Sequence, residues 1–458
     1  MSAPQSWQLR WRLSVLWALE WGITGALLTY LPLYFTDNGL SVEQLGQLMA
    51  VSAVGLWVAP FVVGQVCDRW MATQKYLAVA HFLGGVTLLV IPFATEIYQQ
   101  TQTPEQFRSL LILVGIFAVA YFPTIPLASS LSFRHLAHPE SQFGKVRIWG
   151  TVGWVLSGLL LSVWLGRTAA FQWLVTTFPE WKPTLEQLSI SFSWLPTPTS
   201  SDCFRIAAVL SFALSGFCVF LPDTPPERTS RGKVAPIETL SMFKDRNFSL
   251  LIAISFLLAI VVPFYSFAVP KLLESLQYGK DWVPAVMTVG QISEFPALLL
   301  LPWCLKRFGL KMTFGLGMAA WVIRYFLFAL HTSDKLILTG IALNGICHVF
   351  LIIVIQLFID AKSRSDLKAS AQNLFAFLTM GIAMPIGFLL AGTLGKFCEI
   401  DHPGSENYRL FFAVPAVAVL LLLGVYWKWV PLESEADSNR QTVGDGSKSL
   451  ADPVPKDA

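Results

Sequence analysis

Leu410-Phe-Phe-Ala-Val-Pro-Ala-Val-Ala-Val-Leu-Leu-Leu-Leu-Gly-Val-Tyr-Trp427 contains no acidic or basic side chain. As a helix it is long enough to cross a hydrocarbon core of about 30 Å. An amphipathic helix on a soluble domain keeps one polar face; this run is apolar all round. Comparable runs recur through the 458 residues, which are 54% hydrophobic and 13% charged, with a mean hydropathy of +0.57. A soluble domain carries about 25% charged residues. Unpaired backbone groups are costly in lipid, so such runs are helices unless they close a barrel. Barrel strands alternate polar and apolar residues, and these runs do not. The chain therefore reads as an all-α membrane protein with the lipid bilayer as its solvent.

Twelve transmembrane helices are expected, near 11–36, 43–66, 75–95, 107–133, 143–166, 203–222, 248–275, 282–305, 311–331, 335–359, 368–396 and 405–430. An even number places both termini on one side. Arg10, Arg12, Lys75, Arg134, Lys145, Lys306, Arg307 and Lys362 then share that side, while the Asp37–Glu43 turn has no cation. The positive-inside rule makes it the cytoplasm. Arg10 and Arg12 lead into an apolar helix with no small-residue cleavage site, so no removable signal is expected. Residues 1–222 and 248–430 read as two six-helix halves joined by a charged cytoplasmic linker, 223–247. The acidic, Ser-rich segment 431–458 reads as a disordered tail. Residues 167–202, rich in Pro, Thr, Ser and Trp, are expected as an outer loop.

The net charge of +3 and the lack of a basic tract interleaved with aromatics give no reason to expect nucleic acid as a partner. Six scattered cysteines suggest small buried hydrophobes, with a Cys203–Cys398 disulfide conceivable at the outer face. No HExxH, GxSxG or P-loop pattern is present, and His135 with His138 lacks a third ligand; neither enzyme chemistry, metal nor cofactor is expected.

Ionisable residues at membrane depth are functional candidates by default. Glu294, in Gln291-Ile-Ser-Glu294-Phe-Pro296, shares a helix face with Gln291, and the two suit hydroxyls or base edges. A desolvated carboxyl there is equally suited to carrying a proton. Glu20, in Trp17-Ala-Leu-Glu20-Trp21-Gly22, is a second proton acceptor between rings able to stack on a planar ligand. His348, near the middle of the tenth span, is a third candidate, because an unperturbed imidazole changes charge near physiological pH. Each has a plainer reading as a packed, hydrogen-bonded side chain. Arg147 opens Arg147-Ile-Trp149-Gly150-Thr151-Val-Gly153-Trp154; Thr151 lies one turn on, and the glycines suit close helix contact. Arg324 is also deep and, without an evident partner, reads as structural. Proline breaks are expected in the fourth span at Tyr121-Phe-Pro123-Thr124-Ile-Pro126 and in the seventh at Pro263 and Pro270.

Gly64-Gln-Val-Cys-Asp68-Arg69 resembles the G-x-x-x-D-R loop of the major facilitator superfamily, with a degenerate counterpart at Lys306-Arg307-Phe-Gly309-Leu-Lys311. Gly64, Asp68 and Arg69 would latch one conformation on the cytoplasmic surface. Tyr121-Phe-Pro-Thr124, Arg147-Ile-Trp-Gly-Thr151, Gln291-Ile-Ser-Glu294, Ala320-Trp-Val-Ile-Arg324 and Ala369-Ser-Ala-Gln372 occur in the order of the bacterial nucleoside:proton symporter family, which the chain resembles throughout. The resemblance implies alternating-access symport of a nucleoside and a proton, with Arg147, Thr151, Trp154, Gln291 and Glu294 at the substrate. Two spans depart, the seventh and the tenth. Pro263 and Ser266 stand where the family has Gln and Asn, and His348 and Val349 where it has an aromatic and an Asp. Losing that carboxylate leaves substrate and coupling open. Glu20 is the available replacement, and a carrier for another polar solute remains an alternative.

Overall fold

The computed structural model describes residues 7–58, 66–67, 70–184, 187, 194–226, 241–330, 333–363, 368–400 and 407–430. Gly64, Asp68 and Arg69, most of the linker and the tail from 431 lie outside the described residues. Among those described, every regular element is helical.

Among the described residues ten helices are long and apolar enough to cross a membrane: Trp7–Asp37, Thr73–Thr101, Pro104–His135, Gln142–Thr177, Asp202–Phe220, Arg246–Ser275, Val283–Leu330, Asp334–Lys362, Ala371–Phe397 and Tyr408–Trp429. Val283–Leu330 comprises two spans, because Gly309 breaks it with φ 73° and ψ 176°. Such a backbone is open almost solely to glycine. The shorter apolar pair of helices Val42–Val58 is the second span, which restores the expected twelve. Exposed apolar side chains such as Phe82, Leu83, Phe93, Leu299 and Leu421 face the lipid.

Several boundaries differ from the sequence reading. The fifth span runs to Thr177 rather than 166, because nothing before Pro179 stops the helix. The fourth span breaks between Tyr121 and Thr124 as expected. In the seventh, Pro263 begins a new helix whereas Pro270 is accommodated inside it. The tenth and eleventh spans each contain a π-helical segment, Val349–Ile353 and Phe377–Ala383. All six cysteines are buried and none forms a disulfide among the described residues; Cys203 and Cys398 are not bridged.

The first span packs on the fifth and sixth, and the third on the fourth and sixth. The seventh packs on the eleventh, and the ninth on the tenth and twelfth. The first and fifth spans touch at backbone distance: a Cβ on Gly153 would lie 2.0 Å from the Ala18 carbonyl oxygen. Between the first six spans and the last six, the second meets the eleventh and the fifth meets the eighth.

Bonds between the two sets gather at the end remote from the termini. Lys280 Nζ reaches both Asp37 carboxylate oxygens at 2.7 Å and Glu274 at 3.0 Å. Lys396 meets Glu43 at 2.6 Å, and the Ala285 N–H donates to Ser162 Oγ at 2.8 Å. Deeper, Trp57 Nε1 donates to the Gly381 carbonyl in the eleventh span's π segment at 2.6 Å. Burial pulls the Lys280 pKa down, but the hydrogen bonds it donates to Asp37 and Glu274 outweigh this and hold it above the usual lysine value.

A half-exposed pair is worth about 0–1 kcal/mol. Lys280→Ala is therefore expected to lower the closed population at this end by at most about fivefold. Spin labels at Asn38 and Gln277 would report longer distances. Because the lysine pKa is raised, the lysine's part in the tie is complete below the ordinary lysine pKa of about 10.4, where Asp37 is ionised, and is lost as pH rises through the higher folded value. Unchanged distances at both would show that the pair holds nothing closed.

Candidate functional site

Arg147 emerges from the first turns of the fifth span toward the first. Its guanidinium lies 4.3 Å from the ring centroid of Trp21 and 4.9 Å from that of Trp17. Gly150 makes room for this stack, since a Cβ there would meet Arg147 Nη1 at 2.6 Å and Trp21 Cδ1 at 2.8 Å. Trp154, two turns beyond Arg147, stands 6.1 Å from Trp21 between ring centroids. The indole N–H groups of Trp21 and Trp154 are buried and bond to nothing in the protein. Among the described residues no carboxylate lies within 4.0 Å of Arg147. Of the carboxylates, Glu294 in the eighth span exerts the strongest field on it, ahead of Glu20.

The eighth span is broken where its two candidates sit. Val283–Ile292 ends in the turn carrying Gln291, and a new helix begins at Glu294. Ser293, between them, donates to the Gly290 carbonyl at 2.6 Å and accepts the Gly345 N–H of the tenth span at 2.9 Å. Asn344 donates to the Gly290 carbonyl at 3.3 Å and accepts from Arg324 Nη1 at 3.0 Å. Arg324 is fully buried, 3.6 Å above the Tyr265 ring, so a cation–amide–backbone chain fixes the break from behind. Gln291 Oε1 is buried without a partner, and Glu294 Oε1 lies 3.4 Å from His348 Nδ1. Glu294 is 16% exposed and His348 53%, so this pair reaches an open face.

Arg147, Trp21 and Trp154 thus form one group, and Gln291, Glu294 and His348 another, linked by the contact of the fifth and eighth spans. Thr151 is half-buried one turn from Arg147. Ser266 donates to the Pro263 carbonyl of its own helix at 3.3 Å. Val349 is 1% exposed and begins the π-helical segment, an apolar packing residue. Glu20 does not join either group. It is fully buried among the first, third and fourth spans, 3.0 Å from His81 Nε2, with Thr124 Oγ1 at 2.5 Å. An apolar cavity of about 70 Å³ lined by Leu27, Phe35, Met49, Leu88 and Phe204 contains none of these candidates.

Sequence reasoning missed His81 and the Arg324–Asn344 pair. His81 sits in a charge-free stretch of the third span, so the criterion that singled out His348 would have found it. Among the described residues no cluster of three His, Cys, Asp or Glu is placed to hold a metal. His135 bonds Thr224 at 2.9 Å.

YegT of Escherichia coli is 30% identical over 393 residues, 84% of each chain. The xanthosine permease of the same organism is 24% identical over 439 residues, 91% of this chain and 94% of the permease. The crystal structure of the nucleoside transporter NupG superposes with a TM-score of 0.72 at 21% identity, covering 92% of this chain and 98% of that one. The architecture is that of the major facilitator superfamily. The sequence profile described as nucleoside H+ symporter matches residues 7–178 and 186–429, and the chain is a transporter belonging to that family.

Proposed function

We propose that this protein carries a nucleoside together with a proton across a bacterial inner membrane by alternating access. The halves 1–222 and 248–430 rock about the Arg147 and Glu294 groups, with both termini cytoplasmic. Gly64, Asp68 and Arg69 act as a latch on that side. The observation that supports the substrate class is a set of uncommitted polar atoms. Two indole N–H donors, from Trp21 and Trp154, and one amide acceptor, Gln291 Oε1, are buried without protein partners beside a guanidinium and a carboxylate. Hydroxyls and base edges of an uncharged nucleoside supply complementary groups, and its flat base suits the indole faces. NupG and the xanthosine permease are named as carriers of this class.

Arg147, Thr151, Trp154 and Trp21 bind from the first half, Gln291 and Glu294 from the second, and Ser266 closes the cavity from the seventh span. Glu294, His348 and Glu20 are the titratable groups available for coupling. A second reading keeps the fold and changes the solute. It is favoured by Val349 and by Ser266, whose hydroxyl is already held by Pro263.

Uptake of labelled uridine and adenosine into proteoliposomes, with and without an inward proton gradient, tests the proposal. Gradient-driven accumulation is expected. A hydrogen bond to a charged group contributes about 1.5–3 kcal/mol. Glu294→Gln is accordingly expected to raise the substrate KM about tenfold or more. Arg147→Lys keeps the charge but loses the planar stack, worth about 0.5–2 kcal/mol, and should also weaken uptake. A folded wild-type protein that moves neither nucleoside would reject the substrate class and favour another small polar solute.

A further inference from the structure

Glu20 and His81 are each 0% exposed, and their Oε2 and Nε2 atoms lie 3.0 Å apart. The contact lacks hydrogen-bond alignment, and the second ring nitrogen, Nδ1, also has no partner. A fully buried imidazole with neither nitrogen committed is an expensive arrangement unless its protonation has a use. The other carboxylate oxygen shows what that use is. Thr124 Oγ1 lies 2.5 Å from Glu20 Oε1 and 2.5 Å from the Tyr121 carbonyl oxygen. A hydroxyl has one proton, so it cannot donate to both. With Glu20 ionised, Thr124 donates to the carboxylate. With Glu20 protonated, the carboxyl donates to Thr124 Oγ1, and the threonine proton turns to the Tyr121 carbonyl. The site is built to hold Glu20 in either state.

We infer that Glu20 and His81 form the proton-coupling site of this transporter. This rests on the symport reading above and assigns the proton to a place apart from the substrate. A carboxylate with a neutral imidazole carries charge −1; one proton from the water on the entry side brings the pair to zero, and its loss to the other side resets it. The groups facing the pair are Tyr121 and Thr124 from the fourth span, Arg147 from the fifth and Cys218 from the end of the sixth. Arg147 transmits the change. Glu20 in its own half and Glu294 across the interface both act on its charge. Neutralising the first pair removes the weaker contribution of Glu20 and leaves Glu294 as the remaining carboxylate acting on Arg147. Loading a proton therefore strengthens the tie between the halves at the substrate, which is what coupling requires.

Reconstituted wild type, Glu20→Gln, His81→Asn and Glu294→Gln would be compared for nucleoside counterflow, which needs no net proton movement, and for gradient-driven accumulation. Glu20→Gln, neutral like the loaded pair, and His81→Asn are expected to keep counterflow, with a KM in Glu20→Gln no higher than the wild type's, while accumulation falls at least about fivefold and loses its pH dependence. Glu294→Gln should impair counterflow as well. Accumulation intact in both pair variants would overturn the inference. So would equal loss of counterflow and accumulation that persists in Glu20→Asp and His81→Gln, the mark of a structural role. Infrared difference spectra of the wild type on acidification give a measurement independent of substrate. A protonated-carboxyl band that Thr124→Val shifts supports the pair even if no nucleoside is carried, which would then fault only the substrate reading. Absence of any such band, or a band that Thr124→Val leaves in place, would overturn the pair.

Discussion

Arg147 carries a permanent charge into a bundle surrounded by lipid, and such a charge persists only where its surroundings compensate it. No carboxylate approaches within salt-bridge distance among the described residues. The compensation comes instead from the faces of Trp17 and Trp21 and from two carboxylates acting at longer range, Glu294 and Glu20. A guanidinium held this way is stabilised without being locked to one acid. It can respond to a ligand or to a change of charge on either side. The close packing of the first and fifth spans, with Gly150 and Gly153 where side chains would collide, exists to let that stack form.

The broken helices serve the same centre. In lipid every backbone group needs a partner, so interruptions survive only where the bundle supplies one. The eighth span shows this most clearly. Ser293 and Asn344 occupy the groups exposed at the break, and Arg324 stabilises Asn344 from a wholly buried position. Gln291 Oε1 is left without a partner among the described residues, and Glu294 meets His348 of the tenth span. The π-helical segments in the tenth and eleventh spans are similar interruptions, of a kind that often marks functional regions. In the eleventh, the Gly381 carbonyl is taken by Trp57 from the other set of spans, which makes the irregular segment part of the interface.

Contacts between the two sets of six spans are unevenly distributed along the membrane normal. Ion pairs at Asp37, Glu43, Lys280 and Lys396 lie at the end away from the termini, where partial exposure keeps each weak. Weak ties suit a carrier: a contact that must break in every cycle cannot be worth much more than the energy that drives the cycle.

Composition and run length were enough to establish a bundle of membrane helices, because lipid leaves an apolar segment such as Leu410–Trp427 no alternative to helix. The order of short motifs was enough to point to the family and to Arg147; the rarity of ionisable residues at membrane depth singled out Glu294, Glu20 and His348, and helical spacing added Gln291 beside Glu294. Chain order carried no record of which buried groups meet. Glu20 was legible as a candidate, but its partner His81 lies on the third span and Thr124 beyond the break in the fourth, so their meeting follows from how three helices pack. Arg324 looked partnerless for the same reason until the tenth span brought Asn344 to it. The overlong fifth span and the π segments depended likewise on contacts between helices, which hydropathy along one chain does not encode.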